Sequence, residues 1–153
     1  MDKMKVNAHH ITDVKGLSID GTTVTATAAE LNAMDGVAST AAELDQFILV
    51  HTIPDISTGS SAWVVCPYAA TIETIYAVSD ATTTGTAALS FELDGTAVTG
   101  GGISIAAGAA GVVGTATPTA LNIVVAGETI EMITDGGSTN TAIGTITFVM
   151  QRT

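Results

Sequence analysis

The stretch Leu89-Ser90-Phe91-Glu92-Leu93-Asp94-Gly95 places an apolar side chain at every second position and ends in Asp-Gly. Strict alternation is the pattern of a strand that buries one face and exposes the other. Asp-Gly after such a run favours a tight hairpin turn, because both residues tolerate positive φ. The stretch therefore predicts an antiparallel strand followed by a turn.

The same pattern continues on both sides of this stretch. Two further alternating runs occupy residues 121–125 and 145–150. The other strand candidates are Ala62–Cys66, Ile72–Val78, Gly102–Ala106 and Thr129–Thr134. The turn clusters that separate them are at 82–85, 100–102, 108–114 and 135–139. Many short strands with frequent turns and no helical segment between them are typical of a sandwich. We expect a mainly β chain with an antiparallel, jelly-roll-like β-sandwich over residues 51–153.

A short helical module precedes this region and occurs twice within residues 24–50. Thr27–Glu30 and Thr40–Glu43 both match the capping box, in which the Thr side chain and the Glu side chain each satisfy a backbone N–H of the first turn. Gly36 supplies the residue that ends the first helix. The sequence predicts two short helices between an N-terminal arm at 1–23 and the sandwich.

Helices of two or three turns are marginal in water, so these must bury their apolar stripes. We expect the stripes to pack around a symmetry axis between copies of the chain, and packing on the chain's own sandwich is the alternative. The residues expected in the oligomer interface are Leu31, Met34, Leu44, Phe47 and Ile48.

Charge is distributed unevenly along the 153 residues, whose formal net charge is −11. Lys3, Lys5 and Lys15 lie near the start and Arg152 near the end, with no Lys or Arg between Lys15 and Arg152. Nucleic acid binding needs basic side chains that displace counterions, and anionic lipid repels an acidic surface. We therefore expect no nucleic acid and no membrane partner.

The chain has few of the residue combinations on which catalysis depends. Cys66 is the only cysteine, so no intrachain disulfide is possible, and we expect it to be a small buried residue. His51 is not accompanied by a Gly-x-Ser-x-Gly motif. The sequence contains no phosphate loop, nucleotide fingerprint or Cys/His metal cluster. We predict a protein that is not an enzyme and uses no cofactor and no metal.

Paired carboxylates catalyse glycoside hydrolysis, and the chain has two candidate pairs. They are Glu92 with Asp94 and Glu128 with Glu131. Glu92 lies on the polar side of its strand and Asp94 begins a turn, so solvated positions are expected for both.

Two further features have a structural and a functional interpretation. Trp63 and Tyr68 would form a sugar-stacking platform if exposed, but a lone Trp in a small domain is expected in the core. Thr134–Asn140 is rich in oxygen ligands but lacks the spacing of a calcium loop, and a hairpin loop is expected there.

The helical module resembles one that is repeated in structural proteins of tailed bacteriophages, especially head decoration, head fibre and tail fibre proteins. The match covers Thr27–Val37, with a degenerate second copy at Thr40–Phe47 that lacks the terminal Asp-Gly. The segment Gly127–Ser138 is also similar to the end of small β-domains on phage heads.

This resemblance implies a homotrimer on the outer capsid surface of the virion, which binds the major capsid protein and stabilises the head. The N-terminal arm would attach it to the shell. The residues expected to contact the capsid are Lys3, Lys5, Val6, His9, His10, Ile11 and Lys15. The alternative is a head or tail fibre domain that binds a host surface glycan weakly.

Overall fold

The computed structural model describes residues 17–19, 22–24 and 44–153. The two capping boxes, the interface candidates Leu31 and Met34, and all the capsid-contact candidates lie outside these residues. The chain divides into two compact units, Met1–Ala38 and Ser39–Thr153.

In the first unit, β1 (Leu17–Ile19) pairs antiparallel with β2 (Thr22–Val24). The register joins Ile19 to Thr22, so the two strands flank the Asp20-Gly21 dipeptide in the sequence. This part of the predicted arm therefore contains a β-ladder of its own.

The second unit is built from ten strands. They are β3 (Gln46–Ile53), β4 (Ser60–Val65), β5 (Ala70–Ser79), β6 (Ala87–Leu93), β7 (Thr96–Ala97), β8 (Ile103–Ile105), β9 (Val113–Ala116), β10 (Ile123–Val124), β11 (Thr129–Thr134) and β12 (Gly144–Arg152). Within the described residues, no helix is long and apolar enough to cross a membrane.

The strands form two antiparallel sheets. The first sheet has the order β10–β5–β12–β3, with β9 also on β5, and the second has the order β4–β11–β6–β7, with β8 also on β6. The pairs β3–β12, β4–β11, β5–β10 and β6–β7 are nested, so the chain is a long hairpin folded across two sheets. This nesting is the jelly-roll arrangement, and the predicted fold class is confirmed.

The apolar core lies between the two sheets. Ile146, Phe148 and Met150 of β12 are fully buried, and so is Met132 of β11. The rings of Phe91 on β6 and Phe148 meet edge to face, with 5.4 Å between their centroids and 84° between their planes. This arrangement is the favoured one for aromatic pairs, and here it joins the two sheets.

The sheet begins earlier in the chain than the sequence predicts. Phe47 and Ile48, which we expected at the end of the second helix, lie in strand β3, and Leu44 is exposed just before it. All eight residues of β3 pair with β12. In a strand Phe47 and Ile48 point to opposite faces, so these two residues cannot share one stripe.

Two other expectations are wrong. The loop at Thr134–Asn140 does not connect a hairpin, because β11 and β12 belong to different sheets. Strand β9 occupies Val113–Ala116, at the end of a segment that we expected to be a turn. Its Gly114 lies close to Ile103 of β8, where a larger residue would not fit.

The connection between β3 and β4 is fixed by Asp55. Its Oδ1 accepts hydrogen bonds from the Ser57 backbone N–H at 2.8 Å and from Ser57 Oγ at 2.6 Å. The Ile56 N–H donates to the Ala142 carbonyl at 2.9 Å, which ties this connection to the start of β12.

These hydrogen bonds predict a pH dependence of stability. The bonds from Ser57, its side chain foremost, hold the pKa of Asp55 below its ordinary value of 3.8. A lowered pKa contributes stability that is fully present above 3.8 and is lost as the pH falls through the folded-state value. We expect the Tm of Asp55→Asn to fall less than the wild-type Tm between about pH 5 and about pH 2.5. Asp94→Asn, in the β6–β7 turn, controls for the loss of one carboxylate, and equal slopes in all three proteins would contradict the assignment.

Candidate interaction surface

The second unit is strongly acidic over most of its length. The acidic residues among residues 44–153 are Asp45, Asp55, Glu73, Asp80, Glu92, Asp94, Glu128, Glu131 and Asp135, and Arg152 is the only Lys or Arg there. Surfaces with this balance repel copies of themselves. Contact between copies therefore requires regions where the acidic side chains are absent.

One such region is the edge of the sandwich formed by β3 and β4, which we call the β3–β4 flank. Neither residues 46–54 nor residues 60–68 include a charged side chain. Ile48 and Val50 project from the outer face of the first sheet, and Trp63 and Val65 from the outer face of the second. All four are more than half exposed. Ile48 and Val50 therefore form one apolar patch and Trp63 and Val65 a second, on opposite sides of an edge that carries no charge. Exposed apolar patches of this kind are typical of interaction surfaces.

The opposite edge has a second apolar region, which we call the β10 flank. Leu121, Ile123 and Val125 are each more than half exposed, whereas the intervening Val124 is fully buried. Leu121 has a φ of 53°, which is unusual for a residue other than glycine. A hollow of about 330 Å³ lies here, lined by Leu93, Thr96, Leu121, Ile123 and Glu128.

The outer face of the first sheet extends the uncharged surface beyond β3. Tyr76, Val78, Val113, Thr145 and Thr147 line a hollow of about 400 Å³ on it, together with Ala77. None of these side chains is charged. Uncharged surface therefore extends from β3 to β9 on this face, whereas exposed Glu73 lies on β5 between the residues that pair with β9 and those that pair with β10.

Arg152 lies at one end of the β3–β4 flank. Its guanidinium carbon is 4.0 Å from the centroid of the Tyr68 ring and 5.8 Å from that of Phe47. The rings of Tyr68 and Phe47 meet edge to face, with 5.7 Å between their centroids. The backbone N–H of Arg152 donates to the backbone carbonyl of Asp45 at 3.1 Å. The cation is held by stacking on Tyr68 and Phe47, which also fixes where its charge is presented.

The second sheet carries a different combination on its outer face. Glu131 of β11 lies directly between Glu92 of β6 and Trp63 of β4 in the ladder. The structure thus brings together one member of each predicted acidic pair. Trp63 is 54% exposed, so the expectation that it lies in the core is wrong. Tyr68 stacks with Phe47, and Trp63 belongs to none of the aromatic ring pairs of the described residues.

The remaining candidates for chemistry are accounted for by packing and turns. Cys66 is fully buried, as predicted, and its Sγ donates to the Tyr68 carbonyl at 3.1 Å. Glu128 accepts from the Val125 N–H at 2.7 Å, and Asp135 Oδ1 accepts from the Ala88 N–H at 2.9 Å. Across the described ranges, no three His, Cys, Asp or Glu side chains are grouped so that they could hold a metal ion.

Sequence reasoning missed the two flanks, although a signal for them exists. No charged residue occurs between Asp94 and Glu128, and none occurs between Asp55 and Glu73. Charge-free stretches of this length in an acidic chain predict regions of the folded surface that carry no charge. The chain matches no protein-family model and no curated protein.

Proposed function

We propose that this protein is a structural component of a tailed-phage virion, which binds the outer capsid surface as a homotrimer and stabilises the head. The observation that carries the proposal is the pair of apolar flanks on an otherwise acidic β-sandwich, one of which has no acidic side chain and the other only Glu128 at its hollow. Exposed apolar surfaces of this kind suit a protein that binds other subunits of an assembly. The resemblance of Thr27–Val37 to a module of phage structural proteins supports a phage virion as the assembly.

The described side chains support an assembly role in a second way. Most of the apolar residues on the two flanks lie in strands that pair with β12, β5 or β11. They are held on a rigid scaffold, which lowers the entropic cost of binding. The major capsid protein and further copies of this chain are the proposed partners, and the location is the outer surface of the virion.

A heat challenge of virions tests this proposal. Virions that carry the protein are compared with virions that lack it, and DNA release is measured against temperature. Because a ligand that binds only the intact shell stabilises it by mass action, we expect release at higher temperature when the protein is bound. A chain without residues 1–16, which removes Lys3, Lys5 and Lys15 but keeps β1, is expected not to bind. Release at the same temperature with and without the full-length protein would contradict the proposal.

The exposure of Trp63 favours a second candidate, a fibre domain that binds a host surface glycan. An exposed indole provides an apolar face on which a sugar ring stacks. Glu131 and Glu92 follow it in the same row and offer acceptors for sugar hydroxyl groups. A glycan array tests this candidate: binding must be lost in Trp63→Ala and kept in Tyr76→Ala, which removes an exposed ring from the first sheet.

A further inference from the structure

We propose that the β3–β4 flank of one copy packs against the β10 flank of a second copy, so that copies join head to tail. The inference rests on the self-association proposed above and names the two surfaces that carry it. β3 and β10 are at opposite edges of the first sheet. A cyclic trimer needs two different surfaces of this kind, because a surface meets itself only across a twofold axis.

The open edge of β3 is the first argument. Its eight residues, Gln46–Ile53, pair with β12 on one side, and within the part of the chain that the structure describes no strand pairs on the other side. The strand contains no Pro, Gly or charged residue. Soluble proteins usually protect long edge strands with such residues or cover them. The composition of β3 indicates that this edge is covered in the assembled protein.

The shape of the β10 flank is the second argument. Leu121, Ile123 and Val125 form an apolar ridge beside the hollow of about 330 Å³. The β3–β4 flank offers protruding side chains, of which Trp63 is the largest. A large aromatic side chain that enters a pocket on the partner is the usual centre of a protein interface.

Charge is the third argument, and it identifies a second copy as the occupant. Arg152, the only Lys or Arg of the described residues, lies at the β3–β4 flank against Tyr68. Glu128 lines the hollow on the β10 flank. The ladder places Arg152 opposite Ala70 and Ala70 opposite Val124, so cation and carboxylate are at the same end of the sheet. A head-to-tail contact brings them towards one another, whereas two β10 flanks that faced each other would bring two Glu128 carboxylates together, and two β3–β4 flanks would bring two Arg152 cations together.

A charge-swap cycle tests the inference on the full-length chain. The variants are Ile48→Lys on the β3–β4 flank, Ile123→Glu on the β10 flank, and the double variant that carries both. Both positions are more than 60% exposed, so the fold tolerates them. Ser90→Lys and Ser90→Glu, on the exposed face of β6, control for the added charge. Thermal unfolding confirms that each variant is folded, and sedimentation equilibrium gives its oligomer dissociation constant.

We expect each single change to weaken the oligomer by roughly tenfold or more, and the double variant to recover most of that loss, because Lys then faces Glu at every contact. The Ser90 variants should match the wild type. The inference would be overturned if the double variant dissociated as readily as the weaker of the two single variants. That result would show that the two flanks do not face one another. A chain that is monomeric in solution, with the open edge of β3 covered by its own residues or by another protein, would overturn the inference as well.

This outcome is separable from that of the virion experiment. Recovery in the double variant without any effect on DNA release would keep the interface and remove the capsid role. Protection of virions without recovery in the double variant would keep the capsid role and remove this interface.

Discussion

Phe148→Ala is expected to lower the free energy of unfolding by about 3–5 kcal/mol, the range typical of a truncated buried aromatic. Phe148 is fully buried in β12, the strand that lies between β3 and β5 in the first sheet. Its ring contacts Phe91 from the second sheet, so the change leaves a cavity at the point where the two sheets meet. Urea unfolding at one fixed protein concentration measures the effect, because association also contributes to apparent stability.

Val149→Ala is the matched control for this prediction. Val149 is the next residue in the same strand, points to the outer face of the sheet and is only half-buried. We expect it to cost about 1 kcal/mol or less, the scale of an ordinary substitution near the surface. Similar losses for Phe148→Ala and Val149→Ala would mean that the core is not centred between these two sheets.

Gly136→Ala is expected to cost about 4 kcal/mol or more, an unusually large effect for the addition of one methyl group. Gly136 has a φ of 75°, and a Cβ there would lie 2.8 Å from the Thr58 carbonyl carbon and would overlap the backbone nitrogen of Gly59. Both neighbours are backbone, so the methyl group fits only if the β11–β12 connection moves away from the start of β4.

Gly111→Ala separates the two causes of this loss. Its φ of 82° is as unfavourable for alanine, but nothing lies within 4 Å of its Cβ position. It should therefore cost only about 1–2 kcal/mol, the strain of the backbone conformation alone. Equal Tm losses for the two variants would show that the connection is not held against β4 as described.

Much of the β-sandwich follows from the period of two in the sequence. Strand β11 has the predicted bounds, Thr129–Thr134, and both residues of the Asp94-Gly95 turn have positive φ, at 47° and 74°. The alternation at 121–125 predicted a strand but not which side faces the core, and the structure has a strand only at Ile123–Val124. The structure buries Val124 and exposes its two neighbours, because only Val124 lies opposite buried Ala70. The two-residue repeat of a strand can be read from the local sequence, whereas which of its two faces is buried depends on the strand that it pairs with.

Strand β3 was missed for a related reason. Phe47 and Ile48 follow the second capping box at helical spacing, so a local pattern supports a longer helix. The structure places them in a strand because eight consecutive residues find partners on β12, which is a hundred residues away in the chain. Long-range pairing of this kind overrides a local preference that amounts to a fraction of a kcal/mol per residue.

The sequence predicted that the candidate surface serves assembly, but not which residues form it. The acidic composition and the lack of catalytic motifs indicated assembly, but the sequence placed the contact on the apolar stripes of the helical module. The structure adds two flanks of the sandwich, which include Ile48 and Val50 at one edge of the first sheet and Ile123 at the other, and these positions depend on strand order. The part played by Leu31 and Met34 lies outside the described residues and stays a prediction.

The central claim is that copies of this acidic chain associate through the apolar flanks of its sandwich. Sedimentation equilibrium of the full-length wild-type chain, from nanomolar to high micromolar concentration, tests it most directly. We predict a species with three times the mass of one chain, which dissociates only on strong dilution. The mass of a single chain at every concentration would contradict the claim.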